Sequence, residues 1–130
     1  MSRSSVQPSA TALVDIIEAY FAAVDRDDIA AILSTMTADC VLEYRTLGKV
    51  CAGRDTGIRD YFTARGAQVE SSWHGNTQHT VDTSAARVAT RFDLRRVDRD
   101  GIEQTGDNLN LFEFEGARIR RISVWGGTAR

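Results

Sequence analysis

The spacing of apolar side chains changes period near the middle of this chain, and that change limits the folds open to it. Up to about residue 66 the apolar positions follow the period of amphipathic helices, and from about residue 78 they follow the period of two that belongs to strands. Helices first and strands second read as an α+β domain, with the helices packed on one face of an antiparallel sheet. Leu13, Ile16, Ile17, Tyr20, Phe21 and Val24 form one stripe of a first helix, capped by Ser9 or Thr11 and ending near Asp25. Asp27 or Asp28 caps a short second helix carrying Ile29, Ile32, Leu33 and Met36. A strand follows over 40–45, and Gly48 and Gly53 bracket another. Asp55 then caps a third helix that turns Ile58, Tyr61 and Phe62 inward and stops at Gly66.

Turn signals at 82–84, 98–101 and 115–116 delimit four more strands, over 78–81, 87–97, 103–115 and 117–125. Their short connections predict an antiparallel meander. His74, beside Trp73, falls in the loop before it and is assigned no role. Three helices on the concave side of a long curved sheet leave one hollow at the open end, where alternate side chains point inward. Functional chemistry is expected there. Residues 1–8, which end in the only proline, read as a loose tail, and 9–130 as a single domain.

Composition narrows the function. A chain of 130 residues, 42% hydrophobic and 26% charged, has one core and no room for a second domain. Sixteen basic against eighteen acidic side chains give a net charge of −2, so no overall field draws in nucleic acid or anionic membrane. The cluster of Arg95, Arg96, Arg118, Arg120 and Arg121 has acidic neighbours and no interleaved aromatics, and reads as a solvated face. The N-terminal segment lacks the apolar core of a secretion signal and no run approaches a membrane span, which predicts a cytoplasmic protein. Cys40 and Cys51 lack the spacing of a metal site or disulfide framework and read as reduced core thiols. No phosphate-binding glycine loop, GxSxG elbow or HExxH helix is present.

Three stretches carry a resemblance to a known family: residues 20–29 (YFAAVDRDDI), residues 38–45 (ADCVLEYR) and Gly53-Arg54-Asp55. They resemble, in order, the first half of the SnoaL-like, NTF2-like family, a likeness that covers most of residues 10–126. It implies an NTF2-like cone: about three N-terminal helices on a strongly curved, mostly antiparallel sheet enclosing one pocket. Within that family, residues 43–46 and Thr77-Gln78-His79 resemble scytalone dehydratases, and Tyr20 with Asp25 resembles the bile-acid 7α-dehydratases. The resemblance implies a histidine, His79, oriented by Asp25 from the end of the first helix. An imidazole of ordinary pKa near 6.5 suits removal of a proton α to a carbonyl and its return to a departing hydroxyl. Tyr44 or Tyr20 would then donate to the enolate oxygen. Asn110 matches a substrate-binding asparagine, and Asn108 stands where those enzymes have a serine. This reading predicts a cofactor-free, metal-free dehydratase, or a related cyclase or isomerase, acting on a small hydrophobic oxygenated substrate such as a polyketide or terpenoid.

Residues 79–119 also resemble limonene-1,2-epoxide hydrolase. There Arg91 and Asp93, two apart on one strand, would protonate an epoxide oxygen, for hydrolysis by water or for opening by an internal hydroxyl to a cyclic ether. If instead the apolar face of that strand meets the helices, the two form a surface ion pair. Tyr20 reads equally as a core aromatic or a pocket residue. The carboxylates that a ketosteroid isomerase would need near Arg45 and Asn110 are missing. A non-catalytic binding or dimerisation module is the third reading, and a homodimer through the convex sheet face is expected.

Overall fold

The computed structural model describes residues 7–126. The expected loose tail lies outside them apart from Gln7 and Pro8. The first helix, α1 (Ala10–Asp25), is capped by Ser9, whose hydroxyl accepts from the Ala12 N–H at 3.1 Å. Its stripe of Leu13, Ile17, Tyr20, Phe21 and Val24 is buried. Asp28 caps α2 (Ile29–Ser34) through the Ala31 N–H at 3.1 Å, while Asp27 takes a positive φ of 55° in the turn between the helices.

The chain then enters β1 (Met36–Tyr44) and turns at Gly48 into β2 (Lys49–Ala52). A π-helical turn over Gly53–Ile58 leads straight into α3 (Arg59–Gln68). Gly57 is needed in it because a Cβ there would strike the backbone of Ala52. Asp55 does not cap α3. Its carboxylate pairs with Arg54 at 3.0 Å and Arg59 at 3.7 Å inside the continuous turn, which has no free first-turn N–H to offer it. Nor does Gly66 end α3. The Asp27 carboxylate lies against it, so its missing side chain makes room for a helix contact.

Four long strands complete the chain: β3 (Val69–Asp82), β4 (Arg87–Asp98), β5 (Glu103–Glu115) and β6 (Arg118–Gly126). The sheet order is β2-β1-β6-β5-β4-β3, antiparallel except for β1 against β6. Register breaks near Gly75–Gln78 in β3 and at Glu113–Phe114 in β5 mark bulges, which bend and coil the sheet. The concave face meets the helices. Fully buried Leu13, Ile17, Val88, Phe112 and Ile122 form its centre, each burial worth about 1.5–3 kcal/mol. The Phe21 ring sits 4.7 Å from that of Phe92, fastening α1 over β4. This core occupies one end of the cone. No helix among the described residues is long and apolar enough to cross a membrane.

Candidate active site

The open end of the cone holds a cavity of about 770 Å³, bounded by α3, the β1–β2 hairpin and the sheet. A small annex of about 50 Å³ extends from it toward Tyr20 and Asn110. Tyr44, Arg65, His74, Asn108 and Val124 line both spaces and so mark where they join.

Asp25, the last residue of α1, faces β3 across this junction. Its carboxylate accepts hydrogen bonds from the Ser72 hydroxyl at 2.9 Å, the His74 backbone N–H at 2.9 Å and His74 Nδ1 at 2.5 Å. A carboxylate only accepts, so in the neutral imidazole Nδ1 carries the proton and Nε2 keeps a lone pair. Nε2 bonds to no described residue. Phe21 stacks on the imidazole at 5.1 Å, and Phe92 packs at 5.5 Å, so aromatic rings hold its plane. The arrangement fixes an imidazole at a cavity wall.

Tyr44 on β1 and Tyr61 on α3 line the same cavity. The Tyr44 hydroxyl pairs with that of Tyr61 at 2.8 Å. Burial first, then the neighbouring Tyr61 and Tyr20, hold the Tyr44 phenol well above its ordinary range, so it stays a neutral donor. Tyr20, in the annex, is likewise raised, chiefly by burial. On β5, the side-chain carbonyls of Asn108 and Asn110 are buried with no hydrogen-bond partner among the described residues, and Asn110 is only 3% exposed. Buried amide oxygens are normally paired, so these two are ready acceptors for a bound molecule.

The structure does not bring His79 to Asp25. His79 Nδ1 is 2.8 Å from the Thr90 hydroxyl and Nε2 is 2.8 Å from Glu18, so neither nitrogen is left over for chemistry. Glu18 also accepts from Thr77 at 2.7 Å. Burial opposes its ionisation, but the bonds from Thr77 and His79 prevail and its pKa is lowered. Glu18 and Asp25 lie seven residues apart, on one face of α1, and each holds a histidine of β3. The bulge between the histidines is the reason that both point inward.

Arg91 and Asp93 are also misplaced for the epoxide reading. Val88, Thr90 and Phe92 take the inward positions of β4, which turns Arg91 and Asp93 to the convex face. There Arg91 pairs with Asp93 at 3.2 Å and with Asp107 at 3.0 Å, away from the cavity. Of the expected residues, Tyr44, Tyr20, Asn108 and Asn110 line the two spaces, Asp25 stands behind Ser72 and His74 of the wall, and His79, Asp93 and Arg91 are left out. Sequence reasoning missed His74, Ser72 and Tyr61. No spacing signal marked His74, because the inward polar residues Ser72 and His74 break the hydrophobic alternation of their strand.

A comparison with protein families matches residues 17–122 to the SnoaL-like domain. No curated protein sequence matches the chain. Among solved structures, a polyketide cyclase candidate from Xanthomonas campestris pv. campestris is similar at 16% identity and a TM-score of 0.77, over 88% of this chain and 90% of that one. A candidate isomerase from Bacillus subtilis is similar at 15% identity and TM-score 0.81, over 90% and 87% of the two chains. AusH from Aspergillus nidulans is similar at 14% identity and TM-score 0.80, over 95% and 88%. The chain belongs to the SnoaL-like family, and its fold is the NTF2-like cone.

Proposed function

We propose that this protein is a cofactor-free acid–base enzyme, a hydro-lyase or a related cyclase or isomerase, acting on a small hydrophobic oxygenated molecule of polyketide or terpenoid type. The observation that carries the reading is the Asp25–His74 pair, whose unengaged Nε2 belongs to a residue lining a cavity of about 770 Å³. The unfilled cavity also weighs against a purely structural module.

In the hydro-lyase form, Nε2 removes a proton from the carbon α to a ketone while Asp25 supports the imidazolium. The Tyr61 hydroxyl, which accepts from Tyr44, donates its own proton to the enolate oxygen, with Asn108, Asn110 and Tyr20 holding the rest of the molecule. The carbonyl re-forms, the β-hydroxyl leaves and takes the proton back from Nε2, and the products are an unsaturated ketone and water. Returning the proton to a different carbon makes the same shuttle an isomerase. Attack of the enolate on a second carbonyl makes it a cyclase.

A bicyclic probe tests the assignment. 3-Hydroxy-1-tetralone loses water to give 1-naphthol, which is fluorescent. Wild-type protein should accelerate this over buffer, and His74→Gln should return it to background with the fold intact by circular dichroism. A His74→Gln protein as active as wild type would sink the assignment. The convex face exposes Leu109 by 42% and Trp125 by 39%, register partners on β5 and β6, and this apolar pair supports a homodimer through that face. The buried free thiols of Cys40 and Cys51, the former pushed up to about 12 chiefly by burial, fit a reducing, cytoplasmic location.

A further inference from the structure

We propose that Arg65 sets substrate specificity by selecting molecules that carry an anionic oxygen, a carboxylate or an ionised enol, held where the main cavity meets its annex. The placement of the reacting carbon near His74 rests on the acid–base reading above; the binding of the anion does not.

Arg65 lies on the stripe of α3 that also turns Tyr61, Ala64 and Gln68 to the cavity. Two other guanidiniums on the cavity wall have acids of their own: Arg95 pairs with Glu103 at 2.6 Å and Arg96 with Asp98 at 2.7 Å. The half-buried Arg65 has no ion pair or hydrogen bond with any described residue. Asp60, the acid on the same wall, is exposed at the rim and makes no ion pair with it. The remaining cation, Lys49, is occupied over the Tyr61 ring, with its ammonium 5.1 Å from the centroid.

Arg65 thus puts uncompensated positive charge at the inner junction. Tyr20, Tyr44 and Arg65 line the annex together, so the guanidinium stands on the same wall as the phenols, whose burial-driven rise it opposes. Leaving such a charge partly desolvated and unpaired is costly, and a planar carboxylate or enolate supplies the forked acceptor that a guanidinium matches. A neutral amide of the same shape does not.

The test is binding of 2-naphthoate and 2-naphthamide, near-isosteres of which only the first is an anion at pH 7, by isothermal titration calorimetry on the full chain. Wild type should bind naphthoate roughly tenfold more tightly than naphthamide, as expected for a charge-assisted pair. Arg65→Gln should equalise the two with naphthamide binding unchanged, and Arg65→Lys should keep part of the preference. In wild type the preference should shrink with added salt, a readout that needs no variant. Equal binding in wild type, a preference that survives Arg65→Gln, or one that is insensitive to salt overturns the proposal. So does a preference abolished by Lys49→Gln and not by Arg65→Gln. His74→Gln should retain the naphthoate preference while losing turnover, so the anion site and the acid–base reading fail separately.

Discussion

Replacing Asp25 with asparagine changes one oxygen to NH₂ and leaves the volume alone, so its effect isolates what the carboxylate does. In the native protein one carboxylate oxygen serves both the Ser72 hydroxyl and His74 Nδ1, and the other serves the His74 backbone N–H. Asparagine has a single acceptor for the three donors. If its oxygen stays toward Ser72 and Nδ1, the new NH₂ faces the backbone N–H of His74, donor against donor. An unpaired amide of this kind costs about 1–3 kcal/mol, and 22% exposure of the Asp25 side chain puts the cost at the lower end. About 1 kcal/mol lowers the Tm of a chain this size by roughly 3–6 °C. If the amide flips, its NH₂ faces Nδ1 and drives the proton onto Nε2, which removes the base. Turnover should then fall roughly 10²–10⁴-fold, the usual span for general acid–base catalysis. The assay pairs a thermal melt with naphthol formation at a temperature where the variant is fully folded. Wild-type turnover together with an unchanged Tm would refute the reasoning, since one arrangement or the other has to suffer.

Three further outcomes follow from the same geometry. His79→Ala leaves the fully buried Thr90 hydroxyl without its partner, so it should destabilise the fold by about 1–3 kcal/mol in a urea titration while turnover of folded protein holds; lost turnover at full stability would return His79 to the site. Because folding depresses the pKa of Glu18, its contribution is present above the ordinary glutamate value of about 4.5 and fades as pH falls through the lower, folded pKa. Glu18→Gln should accordingly flatten the loss of Tm below about pH 4.5, and parallel wild-type and variant acid profiles would count against that linkage. Trp125→Glu should convert the expected homodimer to monomer in sedimentation velocity, whereas Asp93→Asn on the same face should keep both dimer and turnover; a monomeric wild type would remove the convex face as an interface.

The elements that could be read from the chain were those whose inward face is apolar. The α1 stripe buries five of its six named residues outright, and β4 and β5 show a clean period of two because Val88, Phe92 and Phe112 fill the core. β3 hid its first half for the opposite reason. Ser72 and His74 point inward as polar groups toward Asp25 and the cavity, so the residues that do the proposed chemistry erase the hydrophobic alternation that would have announced the strand. The bulge near Asn76, which takes a positive φ of 51°, then resets the pleat and brings His74 and His79 onto one face.

That reset explains how the idea of an aspartate from the end of α1 holding a histidine of the next sheet strand survived while its histidine changed. Sequence spacing carries no record of where a bulge falls. Two carboxylates of α1, two turns apart, meet two histidines of β3, and the assignment turns on which of them also reaches a cavity. Glu18 and His79 close over the packed end of the cone, where Thr90 takes the second ring nitrogen and the pair becomes a clasp between helix and sheet. Asp25 and His74 sit at the open end, where the second nitrogen meets no described residue. The same carboxylate–imidazole pairing thus serves as a structural clasp at one end and, in the proposed function, as a base at the other, according to whether the far side of the imidazole meets protein or space.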